Sequence, residues 1–150
     1  MTSRHHPWSA VVGSLLLAGL VALACSDPTA PRLEDCPGDT VTLSSSAGLT
    51  PTFNWAPGCG MAWIVVGVFG SDQSVWTLAS GRWGPTRFDF NNRLASGIRY
   101  GGVRTGTVTI VPPTPLDRGV DYEVRVYRVL LPDTFGLGMA VLAGKTRIIP

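Results

Sequence analysis

The chain has 150 residues, with twelve basic and ten acidic side chains, two histidines and three cysteines, for a formal net charge of +2. Eleven of the basic residues are arginines, and Lys145 is the single lysine. A charge this small and this dispersed excludes a polybasic nucleic-acid binder, and the length bounds the fold to one domain with a proper core.

The first element is an apolar run from Ala10 to Ala24, interrupted only by Ser14. Its fifteen residues would rise about 22 Å as a helix, short of a hydrocarbon core about 30 Å thick. With the amino terminus and Arg4 before it and small, polar residues after it, the run has the three parts of a secretory signal peptide, removed rather than spanning. Both histidines, His5 and His6, would leave with it. The mature chain then has no imidazole, so Ser-His and Cys-His nucleophiles and histidine-ligated zinc are excluded.

At the end of the run, Ala22-Leu23-Ala24-Cys25 resembles the lipobox of bacterial lipoproteins. That resemblance implies cleavage before Cys25 and acylation of its sulfur. It also implies an outer-membrane address, on the periplasmic or the surface face, because Ser26 rather than Asp follows the cysteine. Acyl chains contribute about 0.8 kcal/mol per buried CH₂, so several of them make an essentially permanent anchor. The alternative is cleavage at an Ala-x-Ala site, which leaves Cys25 as an odd thiol in an oxidising compartment. Residues 1–24 are thus expected to be a signal peptide helix, and 25–35, beginning Cys-Ser-Asp-Pro-Thr-Ala-Pro, a tether holding the remainder off the membrane.

From 36 to 150, short β-rich runs alternate with Gly, Pro and Asn, and no helical period of useful length occurs. The expected fold is all-β, a single antiparallel β-sandwich. Val41 and Leu43 alternate with Thr40, Thr42 and Ser44; Phe53 and Trp55 alternate with Thr52 and Asn54. If these two strands form a hairpin, Cys36 and Cys59 are equidistant from a turn between Ala47 and Gly48, which predicts a disulfide at one pole. Met61 to Phe69 is apolar on both faces and reads as a central strand covered on both sides. Asp121, Glu123 and Arg125 alternate with Val120, Tyr122, Val124 and Val126, a two-faced strand.

Thr107-Val108-Thr109-Ile110-Val111 and the following Leu116-Asp117-Arg118-Gly119-Val120-Asp121-Tyr122-Glu123-Val124 resemble the E strand and tyrosine corner of fibronectin type III domains. Trp55 is similar to that family's core tryptophan on strand B. The resemblance implies strand C at Ala62–Val66, C′ at Val75–Ala79 and G at Met139–Ile148. It leaves Arg82 to Arg104 without a counterpart, and it does not account for a disulfide, so other immunoglobulin-like sandwiches stay open. The corner implies that Tyr122 is a core ring with its hydroxyl on the backbone, and Trp55, Trp63 and Trp76 are likewise expected in the core.

The unmatched segment is where binding is expected to concentrate. Arg82, Arg87, Arg93, Arg99 and Arg104 face a single acid, Asp89, and are interleaved with Trp83, Phe88, Phe90 and Tyr100. Arginine and aromatic residues dominate binding hot spots, and a local charge of +4 by these residues favours an anionic partner, such as an anionic glycan or a lipopolysaccharide phosphate. Convergence of at least three arginines on one exposed face beside Trp83 or Tyr100 would mark a site. The competing reading is ordinary edge strands with outward arginines.

No cofactor or metal is expected: Asp117 and Asp121 lack the dense oxygen spacing of a calcium loop. The sequence therefore points to a non-enzymatic lipoprotein that binds or scaffolds an envelope protein or a polysaccharide. Two alternatives remain. One is an accessory domain of a carbohydrate-active system or a weak glycosidase, needing two carboxyl groups about 5 to 10 Å apart; the other is a surface spacer.

Overall fold

The computed structural model describes residues 36, 38, 40–83, 88–130 and 139–150. The expected signal peptide, Cys25, the tether and Arg87 lie outside the described residues. All nine described strands pair antiparallel: β1 Thr42–Ser45, β2 Thr52–Ala56, β3 Trp63–Val68, β4 Ser74–Trp83, β5 Phe88–Phe90, β6 Ile98–Arg99, β7 Thr107–Val111, β8 Tyr122–Val129 and β9 Ala140–Ile148. The smaller sheet has the order β1-β2-β6. In the larger, β3 lies between β4 and β8, β9 follows β8, and β7 and β5 both pair with β4. Packed together, the two sheets form the expected β-sandwich.

Alternation decides what lies between them. From β2 come Phe53 and Trp55, from β3 Ile64 and Val66, from β4 Trp76 and Leu78, and from β8 Tyr122, Val124 and Val126, all buried. Each such side chain contributes about 1.5–3 kcal/mol by leaving water. Phe53 and Trp76 stack across the sandwich with ring centroids 6.4 Å apart. The corner forms as the residue pattern implied: the Tyr122 hydroxyl accepts a 3.0 Å hydrogen bond from the Asp117 N–H. Gly119, at φ +76°, turns the chain between them, a conformation that a side chain would strain.

Cys36 and Cys59 are bonded, with Cα atoms 5.3 Å apart, inside the reach of a disulfide. The hairpin is not centred where the argument for that pair put it. Ser45 faces Phe53, so the turn is centred on Leu49. The bridge closes all the same, because both cysteines lie beyond the paired strands, where the chain departs from ladder geometry. The indole N–H of Trp55 donates to the Cys59 carbonyl at 2.7 Å, tying the core to the bridge.

Two placements differ from the sequence reading. Thr107–Val111, matched to a fibronectin E strand, pairs with β4 in the larger sheet. The place beside β2 goes instead to β6, two residues from the segment that had no counterpart. That segment leaves the larger sheet at β5, meets the chain just before β3 through the isolated Met61–Leu94 bridge, and crosses to the smaller sheet. Leu94 and Ile98, both fully buried, drive this crossing.

Candidate functional site

The outer side of the larger sheet follows from its register. Trp63 lies opposite Ala79 on β4 and Tyr127 on β8, Tyr127 lies opposite Leu142 on β9, and Gly81 lies opposite Phe90 on β5. Since Ile64, Leu78 and Val126 point inward, these residues point out. Trp63 stacks on Tyr127 at 5.2 Å and an interplanar angle of 18°, and sits 4.8 Å from the Phe90 ring on its other side. Small residues at Ala79 and Gly81 leave room for these rings. By the same alternation Trp83 belongs to this face; it is 68% exposed, against 44% for Phe90 and for Leu142. No further strand or helix among the described residues lies over the cluster. Trp63 is therefore half-buried on an outer surface, not in the core where the sequence placed it, and among the described residues β3 is covered by a second layer on one side only.

Towards its far end the same face is ionic. Glu123 pairs with Arg125 at 3.5 Å and Lys145 at 3.7 Å. Asp121 pairs with Arg147 at 3.8 Å, whose guanidinium also lies 3.2 Å over the Phe69 ring. Open pairs of this kind contribute about 0–1 kcal/mol each. Asp121 and Glu123 are two carboxylates on one side of one strand, but each already has a cationic neighbour.

The four described arginines of the 82–104 segment divide into two pairs. Arg82 and Arg93, with Phe90 and Asn91, line an open cleft of about 380 Å³. Neither arginine has an ion pair among the described residues. The cleft is held by hydrogen bonds on both sides of Arg93. Asn91 donates its N–H to the Ser80 carbonyl at 3.0 Å, and its Oδ1 accepts from the Ser80 hydroxyl at 2.6 Å. Asn92 acts as a one-residue strand partner for Val129, donating to its carbonyl at 2.7 Å and accepting from its N–H at 2.9 Å. Leu94 exchanges two 2.9 Å backbone bonds with Met61. Ser80 also donates to the Ala62 carbonyl, which places β5 on the β3 side of β4 and brings Phe90 against Trp63.

Arg99 lies in β6 of the smaller sheet, and Arg104 in the loop between β6 and β7. Arg99 donates to the Thr50 hydroxyl at 3.3 Å, and Arg104 donates to the Gly97 carbonyl. Tyr100 is not a surface residue. It is 7% exposed, packs edge-on to Trp76 at 5.2 Å, and donates a 2.6 Å hydrogen bond to the Thr114 carbonyl. Burial pushes its phenol pKa above the ordinary value, so its hydroxyl stays a donor. Of the residues singled out from the sequence, Arg82, Trp83 and Arg93 lie at or beside the cleft. Arg99 and Arg104 lie elsewhere and Tyr100 is in the core, so among the described residues two arginines converge, not the three expected of a site.

The sequence reading passed over Tyr127, which continues the outward series Asp121, Glu123, Arg125. It also passed over the outward direction of Trp63, for which a run apolar on both faces carries no signal. Among the described residues there is no cluster of three or more His, Cys, Asp or Glu able to hold a metal ion, and no helix long and apolar enough to cross a membrane. Comparison with models of known protein families, with curated proteins and with solved structures finds no match.

Proposed function

We propose that this chain is a non-enzymatic lipoprotein of a bacterial envelope. It is anchored through acyl chains on Cys25, with the outer membrane favoured by Ser26, and its sandwich binds or scaffolds a second envelope component, a protein or a polysaccharide. The observation that carries the binding half is the outer aromatic cluster of Trp63, Phe90 and Tyr127, continuous with a cleft whose two arginines have no ion pair among the described residues. Exposed aromatic and arginine side chains held on a rigid sheet are the composition of a binding hot spot. The Cys36–Cys59 bridge supports an oxidising compartment. The corner bond at Tyr122, with three strands facing the larger sheet, supports a fibronectin type III-like or related immunoglobulin-like sandwich.

Anchoring is tested by labelling bacteria that express the full chain with an alkyne fatty acid, then fractionating the envelope. The wild-type chain should carry label in the membrane and begin at Cys25. Cys25→Ser should lose the label and accumulate uncleaved or soluble. A mature chain that begins elsewhere with Cys25 unmodified would overturn the reading.

A further inference from the structure

We infer that the partner is an acidic polysaccharide, and that its charged sugar seats in the cleft of Arg82, Phe90, Asn91 and Arg93. This rests on the binding role proposed above and specifies its ligand.

The cleft combines three chemistries on one small surface. Two guanidiniums offer planar, multi-donor recognition of a carboxylate or phosphate. Asn91 is anchored at Oδ1 by the Ser80 hydroxyl, which leaves its amide NH₂ as a positioned donor for a ring oxygen or hydroxyl. The third component is apolar: the Phe90 ring, backed by Trp63 at 4.8 Å. Aromatic faces carry negative charge density and attract the slightly positive C–H face of a pyranose ring. A ligand that satisfies all three is anionic, rich in hydroxyls and apolar on one face, which describes a uronic acid or a phosphorylated sugar.

A volume of about 380 Å³ is at the low end for small-ligand sites, and the cleft is open. A polymer can therefore enter and leave it, with further rings reaching Trp83 on the neighbouring outer face. Arginine and aromatic residues also mark protein interfaces, so a protein partner is the competing outcome of the test below. The register partner of Arg82 is Asp89.

The test uses the full, lipidated chain in detergent micelles and affinity electrophoresis through gels containing polygalacturonate, its fully methyl-esterified form, or smooth lipopolysaccharide. Retention by polygalacturonate assigns a carboxylate ligand, and retention by lipopolysaccharide that is lost once its phosphates are removed with hydrofluoric acid assigns a phosphate. In either case retention should weaken with salt. The exposed pair Arg82→Gln with Arg93→Gln should weaken it about tenfold, and Arg118→Gln, on a distant turn, should not. Equal retention by the neutral ester, or no change in the double variant, would overturn the proposal. If no gel retains the chain, the acidic-sugar proposal fails. A pull-down from the native envelope then separates the two ideas: capture of an envelope protein leaves the binding role standing, and capture of nothing ends that role as well.

Discussion

Replacing both Cys36 and Cys59 with alanine tests how much of the stability of this sandwich comes from its bridge. The cysteines are 23 residues apart in sequence. In the chain-entropy model a loop of that size costs the unfolded state about 3.4 kcal/mol at 25 °C. Packing adds to this at Cys59, which is 3% exposed within the core, and less at half-buried Cys36, while the main-chain carbonyl of Cys59 keeps its bond to Trp55 whatever side chain it carries. Urea unfolding of the full chain in detergent should therefore show a loss of at least about 3 kcal/mol, with a steeper denaturant dependence, since an uncrosslinked chain exposes more surface. The corresponding drop in Tm, for a domain of this size, is about 13 °C. Reducing the wild-type protein should reproduce the effect. A loss below about 1 kcal/mol with unchanged slope would refute the idea that the bridge acts through the unfolded chain.

Further substitutions probe the corner, the core and a close approach. Tyr122→Phe removes the acceptor of the Asp117 N–H and should cost about 1–2 kcal/mol by thermal or urea unfolding, with the fold intact. Tyr100 has a phenol pKa raised by burial, so its protonated form is the one the fold stabilises. Its contribution is complete below the unfolded pKa of about 10 and is lost as pH rises through the folded value. Tyr100→Phe should flatten the alkaline limb of a stability-versus-pH curve while lowering stability at neutral pH. A Cβ added at Gly144 would lie 2.7 Å from the Val41 carbonyl, whose own N–H bonds Ala143 at 2.8 Å. Gly144→Ala should cost about 1–3 kcal/mol in the same assay.

The parts of this fold that were legible in the sequence are those where a single period governs. β8 alternates polar and apolar side chains, and its buried residues fall where that alternation puts them. Turn residues and the tyrosine corner marked where it begins. β3 is apolar on both sides, so its sequence could not say which face carries Trp63; only the register with Ala79 and Tyr127 does so. β6 is two residues long, too short for any period. It exists because Ile98 and Leu94 are buried and pull a connecting segment across the sandwich, a tertiary effect that local pattern does not carry. The arginines were counted correctly but could not be grouped. Nothing in the spacing of Arg82, Arg93, Arg99 and Arg104 tells that the chain changes sheets between the second and third. Tyr100 looked like a surface aromatic among arginines because its burial depends on Trp76 and Thr114, both distant in sequence.

The central proposal is that the sandwich contacts an envelope partner through the aromatic end of the larger sheet. Photo-crosslinking in intact envelopes tests it most directly, with p-benzoylphenylalanine placed at Phe90 in one strain and at Lys145, on the ionic end of the same face, in another. The account predicts a discrete crosslinked species from position 90, removed by the Arg82→Gln and Arg93→Gln pair, and none from position 145. Crosslinks from 145 alone, or from neither position while the protein remains in the membrane, would contradict it.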